Sequence, residues 1–239
     1  MFLKKIASGL DAPVGMAVRA DGGLLVANWG ADCISLVRET GDTERAFCNI
    51  SGPSGLTIDA SGNIFAASYS DDIIKRIEPD GTATIFARGL RTPAGLCFEK
   101  DGALLVANRA ANQILALAPD GRSRILCDGF QTPVGAARSP DGTLFVSNFS
   151  GGVTICRPDG RRTTISDPIR QPGPGIVATT AGRIFVVDFA GGTVFEVTAD
   201  AECVEIVSGL KSPAGLVEGR NRALLVATWG DGAVYEISL

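Results

Sequence analysis

Six short apolar runs punctuate the chain at a constant interval of 40 residues. They read LLVAN at 24–28, IFAAS at 64–68, LLVAN at 104–108, LFVSN at 144–148, IFVVD at 184–188 and LLVAT at 224–228. Each is preceded by a second, shorter apolar stretch that follows a glycine: Gly15, Gly55, Gly95, Gly135, Gly175 or Gly215. Five of these glycines stand in a Pro-x-Gly setting, and the fifth repeat reads PGPG instead. Turn pairs such as Asp21-Gly22, Ser61-Gly62, Asp101-Gly102, Asp141-Gly142 and Ala181-Gly182 separate the two stretches and predict tight hairpins. A third strand follows (CISLVR, IIKRIE, QILALA). Pro-Asp-Gly closes it at 79–81, 119–121 and 158–160, and a fourth strand such as ATIFARG ends the unit.

Four short strands per repeat and six repeats, without helical periodicity or helix caps, predict an all-β, six-bladed propeller of antiparallel blades formed as one domain over 1–239. Solenoid units are usually shorter or helical. The ends of the chain carry the same message. The last repeat stops at Leu239 after its third strand, whereas FLKKIASGL at the start aligns with the fourth-strand segment TIFARGL. Phe2–Gly9 is therefore expected to complete the blade of residues 212–239 and close the ring, leaving no spare N-terminal segment for targeting. Repeat four loses one residue between its second and third strands, and Arg170–Gly175 restores the register.

Composition narrows the chemistry. At 45% hydrophobic and 20% charged residues the chain is ordinary globular protein. No apolar run approaches the ~18 residues of a membrane span, and MFLKKIASGLDAP lacks the apolar core of a signal peptide. A formal charge of −4 without long basic runs disfavours nucleic acid. Histidine is absent, which excludes Ser-His-Asp and Cys-His pairs and every His-containing metal site. Cys33, Cys48, Cys97, Cys127, Cys156 and Cys203 form no CxxC motif. They are read as packed, reduced thiols in different blades of a cytoplasmic protein, with a cross-blade disulfide left open.

Three sets of residues are candidates for function. The second strands end in Asn28, Ser68, Asn108, Asn148, Asp188 and Thr228. These polar residues either tie down the loop backbone or face a ligand, with Asn28, Asn108 and Asn148 as candidate contacts. Immediately after them come Trp29, Tyr69, Arg109, Phe149, Phe189 and Trp229. Five of six are aromatic in a chain that is 6% aromatic, and both tryptophans are included. They either pack to seal the channel mouth or form a ligand-facing collar, and Trp29 and Trp229 are expected to be neighbours across the closure. On that face Arg91, Arg109, Arg170 and Lys211 lie over one half, and Asp11, Asp32, Asp71, Asp72 and Asp231 over the other. Lastly, Arg138 and Glu218 interrupt the apolar first-strand register held by Val18, Ile58, Phe98 and Ala178. Buried there, they are expected to pair across the channel, or Glu218 to serve as an acid or base.

The Pro-x-Gly, Asp-Gly and Pro-Asp-Gly pattern resembles the NHL repeat and the wider six-bladed group. That group includes SMP-30/gluconolactonase, strictosidine synthase-like proteins and the virginiamycin B lyase type. The resemblance covers nearly the whole chain and implies the fold more strongly than an activity. In the SMP-30 group it implies a calcium or zinc ion held partly by Asn and Asp just before the first-strand glycine. Val14, Ser54, Ala94, Val134, Pro174 and Ala214 stand there, so no metal or other cofactor is expected. The lyase type implies a catalytic histidine, which this chain lacks. The leading expectation is a propeller that binds a small molecule, peptide or protein partner at its aromatic face, away from nucleic acid and membrane. The alternative is a metal-independent enzyme of the strictosidine synthase-like or lactonase-like kind, using Glu218 and Asp188 as acid/base groups.

Overall fold

The computed structural model describes residues 2–239 and contains six four-stranded antiparallel sheets. The first blade comprises β2 (Pro13–Val18), β3 (Leu24–Asn28), β4 (Cys33–Val37) and β5 (Thr43–Cys48). The second comprises β6 (Pro53–Ile58), β7 (Ile64–Ser68), β8 (Ile73–Ile77) and β9 (Ala83–Ala87). The third is β10 (Pro93–Phe98), β11 (Leu104–Asn108), β12 (Gln113–Leu117) and β13 (Ser123–Asp128). The fourth is β14 (Pro133–Arg138), β15 (Leu144–Asn148), β16 (Gly152–Cys156) and β17 (Arg162–Ile165). The fifth is β18 (Pro172–Ala178), β19 (Ile184–Asp188), β20 (Thr193–Val197) and β21 (Cys203–Val207). The sixth combines β22 (Pro213–Glu218), β23 (Leu224–Thr228) and β24 (Ala233–Ser238) with β1 (Phe2–Ala7), which pairs Phe2 with Ser238 and Lys5 with Tyr235. The N-terminal strand thus closes the ring, as its likeness to a fourth strand predicts.

The continuous apolar runs are the second strands, buried along their whole length because a neighbouring blade covers each of their two faces. The cores accordingly lie in the six gaps between blades, with none at the centre. Between the first and second blades, Leu25, Ile34 and Ile50 meet Leu56, Ile64 and Ile77. Between the fourth and fifth, Phe145 and Ile155 meet Ile184, Val186 and Phe195.

The 40-residue glycines mark where first strands touch around the axis. A Cβ on Gly95 would lie 2.6 Å from the carbonyl oxygen of Val134, and one on Gly175 would lie 2.8 Å from that of Ala214. Gly15, Gly55 and Gly135 meet Ser54, Ala94 and Pro174 in the same way, and Gly215 meets Val14 across the closure. Each blade therefore presses its glycine on the residue before the next blade's glycine. In the fifth blade, three residues of β18 (Gly173, Pro174 and Gly175) separate the pairs Pro172–Asp188 and Ile176–Val186, where the other blades place two. That bulge restores the residue lost in the fourth blade.

The cysteines are all free. Their distribution corrects the expectation of one per blade. Cys33 and Cys48 are register partners in the first blade, and Cys97 and Cys127 share the third. Among the described residues no helix is long and apolar enough to cross a membrane.

Candidate functional site

The backbone of the second-to-third-strand loops is fixed before any side chain is considered. The N–H groups of Trp29, Tyr69, Arg109, Phe149, Phe189 and Trp229 donate to the carbonyls of Ala12, Gly52, Thr92, Thr132, Gln171 and Ser212, each the residue preceding the strand-opening proline. Four of those acceptors are non-glycine residues held at positive φ, among them Thr92 (57°) and Thr132 (60°), where a β-branched side chain is strained. A second brace comes from the residue before the aromatic. Asn28 Oδ1 accepts from Asp11 N at 3.2 Å, and Asn108 from Arg91 N at 2.6 Å. Asn148 accepts from Gln131 N at 3.3 Å and Asp188 from Gln171 N at 3.2 Å. Ser68 donates instead to Ser51 O and Asp71, and Thr228 to Asp231 and Ala233 O.

Asn28, Asn108 and Asn148 are 2%, 5% and 1% exposed, so their amides look into the loop backbone. Of the two roles open to them, the geometry displays the bracing one. A further recurring position escaped the sequence reading. Asp32, Asp72 and Asn112 adopt positive φ and accept from the backbone N–H groups of Gly52, Thr92 and Thr132, at 2.8, 2.6 and 3.0 Å. Glycines 152, 192 and 232 replace them in the other three blades. Their 40-residue spacing was the available signal.

On this scaffold the six residues after the braces converge into a closed ring. Trp29 meets Tyr69 edge-on with centroids 4.5 Å apart, and Trp229 at 6.1 Å. Trp229 meets Phe189 at 6.4 Å, and Phe189 meets Phe149 at 6.2 Å. Arg109 completes the circuit, its guanidinium carbon 5.7 Å from the Phe149 centroid and 5.8 Å from that of Tyr69, to whose hydroxyl Nη1 donates at 2.6 Å. Five members are half-buried and Trp229 is 37% exposed. The neighbouring spacings around this circuit, 4.5 to 6.4 Å, lie inside the roughly 4.5–7 Å range of aromatic pairs.

A cavity of about 810 Å³ lies between the first strands, lined from Val14 and Gly15 to Glu99, Arg138, Thr180 and Glu218 at the face opposite the collar, and no collar residue lines it. Arg138 and Glu218 do not pair across it. Arg138 Nε reaches both Glu99 oxygens at 2.8 and 2.9 Å, and its Nη1 donates to Gly142 O at 2.8 Å. Glu218 accepts from Thr180 N at 2.7 Å and Thr180 Oγ1 at 3.0 Å. Both charges are half-buried rather than buried, because the end of each first strand lies beside the preceding blade's hairpin and reaches water there. Asp188 lies at the collar end of its strand, opposite Pro172 at the start of β18, while Arg138 and Glu218 end theirs. The three candidate catalytic groups are not brought together.

The position that would ligate a metal in the resembling group offers one side-chain oxygen, Ser54 Oγ, and it donates to the carbonyls of Pro93 and Ala94. A divalent cation does not fit these six residues. Among the described residues, no three His, Cys, Asp or Glu side chains gather into a metal-binding group elsewhere.

On the negative half of the collar face, the carboxylates are largely engaged. Hydrogen bonds from Ser68 and Ser51 hold Asp71 below the usual carboxylate range. At Asp231 burial acts upward, but bonds from Thr228, Tyr235 and Lys5 outweigh it and keep the carboxyl low. Tyr235 donates to Asp231 at 2.6 Å, and Lys5 approaches Asp231 at 3.5 Å and the Tyr235 ring at 5.2 Å. This cluster ties the N-terminal strand to the loop that carries Trp229.

Solved structures share the architecture at low identity. A catalytically inactive histidine-to-alanine variant of virginiamycin B lyase from Staphylococcus aureus, with quinupristin, is 19% identical over 99% of this chain and 88% of its own, with a TM-score of 0.74. A gluconolactonase from Xanthomonas campestris is 20% identical over 98% and 88%, with a TM-score of 0.86. The calcium-binding protein regucalcin from Agrobacterium tumefaciens is 18% identical over 99% and 93%, with a TM-score of 0.81. At these identities the likeness establishes the fold alone. None of the curated proteins compared matches the chain. The sequence model of the virginiamycin B lyase family matches residues 3–239, and by that match the chain belongs to the virginiamycin B lyase family.

Proposed function

We propose that this propeller binds the aromatic part of a small molecule or peptide at its collar and does so without the histidine chemistry of its relatives. The observation that carries the reading is the closed ring of five aromatic side chains and Arg109, whose neighbouring members stand 4.5 to 6.4 Å apart, the spacing at which aromatic groups pair. The pinned backbone beneath it holds the ring ready, which lowers the ordering cost of binding. The solved lyase relative is inactive once a histidine becomes alanine, and this chain has no histidine at any position. The enzymatic alternative through Glu218 has weaker support, since that carboxylate ends its first strand, on the face opposite the collar and Asp188.

Calorimetric titration with the neutral probe 2-naphthamide and with quinupristin tests the proposal. Binding of at least one, recovery of quinupristin with unchanged chromatographic retention and an intact ring by fragmentation, and weakening by ~1–3 kcal/mol in Trp29→Ala support it, as expected of a central aromatic anchor. Absence of heat with both probes, or cleavage of quinupristin, contradicts it.

A further inference from the structure

We infer that the collar is built for an aromatic anion, a ring bearing one carboxylate, with Arg109 as the carboxylate's partner; this rests on the collar reading above. Five of six equivalent positions supply aromatic rings and the sixth supplies a guanidinium, so the ring is asymmetric in charge at one point. Arg109 is held in place by its neighbours: its guanidinium lies between the Tyr69 and Phe149 rings at 5.8 and 5.7 Å. Among the described residues, the bond from Nη1 to the Tyr69 hydroxyl is its one side-chain hydrogen bond. A guanidinium carries five N–H donors in a planar fork, so most of them are left for a ligand.

Among the described residues no carboxylate lies within ion-pairing distance of Arg109, although ten ion pairs form elsewhere. Four of the five carboxylates on the negative half of this face are committed, Asp32 and Asp72 to backbone N–H groups, Asp71 to Ser68, Asp231 to Thr228 and Tyr235, and the fifth, Asp11, makes no ion pair with Arg109 among the described residues. Arg109 is half-buried without a counter-charge among the described residues, so a ligand carboxylate would gain charge-assisted hydrogen bonds from its free N–H donors while its ring lies within the collar. One guanidinium matches a single carboxylate better than a phosphate dianion, which calls for several cations at bonding distance.

The test compares 2-naphthoate with 2-naphthamide, equal in shape and unequal in charge, by calorimetry on the full chain. Wild type should bind naphthoate at least tenfold more tightly. Arg109→Gln should bring naphthoate down to the affinity of naphthamide, and Arg109→Phe should abolish the preference while retaining naphthamide. Melting curves of both variants verify that they fold. Equal affinities in wild type, with naphthamide bound, overturn the anion assignment and leave the collar reading standing. A preference that persists in Arg109→Gln and Arg109→Phe also overturns it, because the charge then comes from another cation. Failure of wild type to bind either naphthalene probe overturns the anion assignment, and failure to bind quinupristin as well overturns the collar reading.

Discussion

Small differences at single positions decide most of this architecture. At the six axial glycines a methyl group would enter a carbonyl of the next blade, so Gly55→Ala should cost ~1–3 kcal/mol through forced separation of the first strands. The fall in denaturant midpoint measures it; an unchanged midpoint would mean the blades slide apart freely. The thiols give a second residue-scale expectation. Burial pushes Cys97 up to about 12 and Cys127 and Cys203 to about 11, while Cys48 is exposed. An aromatic disulfide reagent near pH 8 should therefore label Cys48 first and the buried Cys33 together with Cys97 late, because the thiolate is the reacting form and must be reached. Mass mapping of partially labelled protein reads the order, and early labelling of Cys97 would contradict this packing. The collar residues were legible because five aromatics fell on one 40-residue register. The partners of Arg138 and Glu218 were not: Glu99 and Thr180 lie 39 and 38 positions earlier, in adjacent blades, so the contacts appear only once neighbouring repeats are overlaid.

At the scale of the strand, legibility follows burial. Second strands such as LLVAN and IFVVD were read without ambiguity, since both of their faces are covered and every position is apolar or a brace. The exposed outer strands, such as β5 with TERAFC, carry a weaker signal because solvent relaxes their composition. β1 is the outer strand with a dedicated tether. The Tyr235 interaction, ahead of Asp231, raises Lys5 above its ordinary value, and burial with the Asp231 bond raises Tyr235. Groups with raised folded pKa values stabilise the fold below their unfolded values, near 10 for Tyr and 10.4 for Lys, and that contribution is lost as pH rises through the folded values. Asp231, held low, contributes above its unfolded value and loses that contribution only as pH falls through its folded one. Between those limits all three act together. The stability difference between wild type and Tyr235→Phe should be greatest near neutral pH and shrink above about pH 10. Chemical denaturation at several pH values checks this, and a constant difference would show that the Tyr235 hydroxyl has no titrating partners.

For the whole molecule, closure is the decisive feature. Six inter-blade cores exist only if the sixth blade meets the first, where Leu10, Met16 and Val26 pack against Leu225, Ala227 and Val234. Removing residues 2–9 would bare the edge of β24, and the truncated chain should lose cooperative unfolding or aggregate. An unchanged melting transition would contradict the role given to β1. The same closure brings Trp29 and Trp229, 200 positions apart, to neighbouring places in the collar. Because these are the only tryptophans, a fluorine label on the indoles reports solely on that mouth. The most direct test of the central claim is therefore the fluorine NMR spectrum of 5-fluorotryptophan protein titrated with 2-naphthamide. The account predicts two resonances that both shift along saturable curves with one dissociation constant, equal to the calorimetric value. Two resonances that stay fixed while calorimetry registers binding would contradict it.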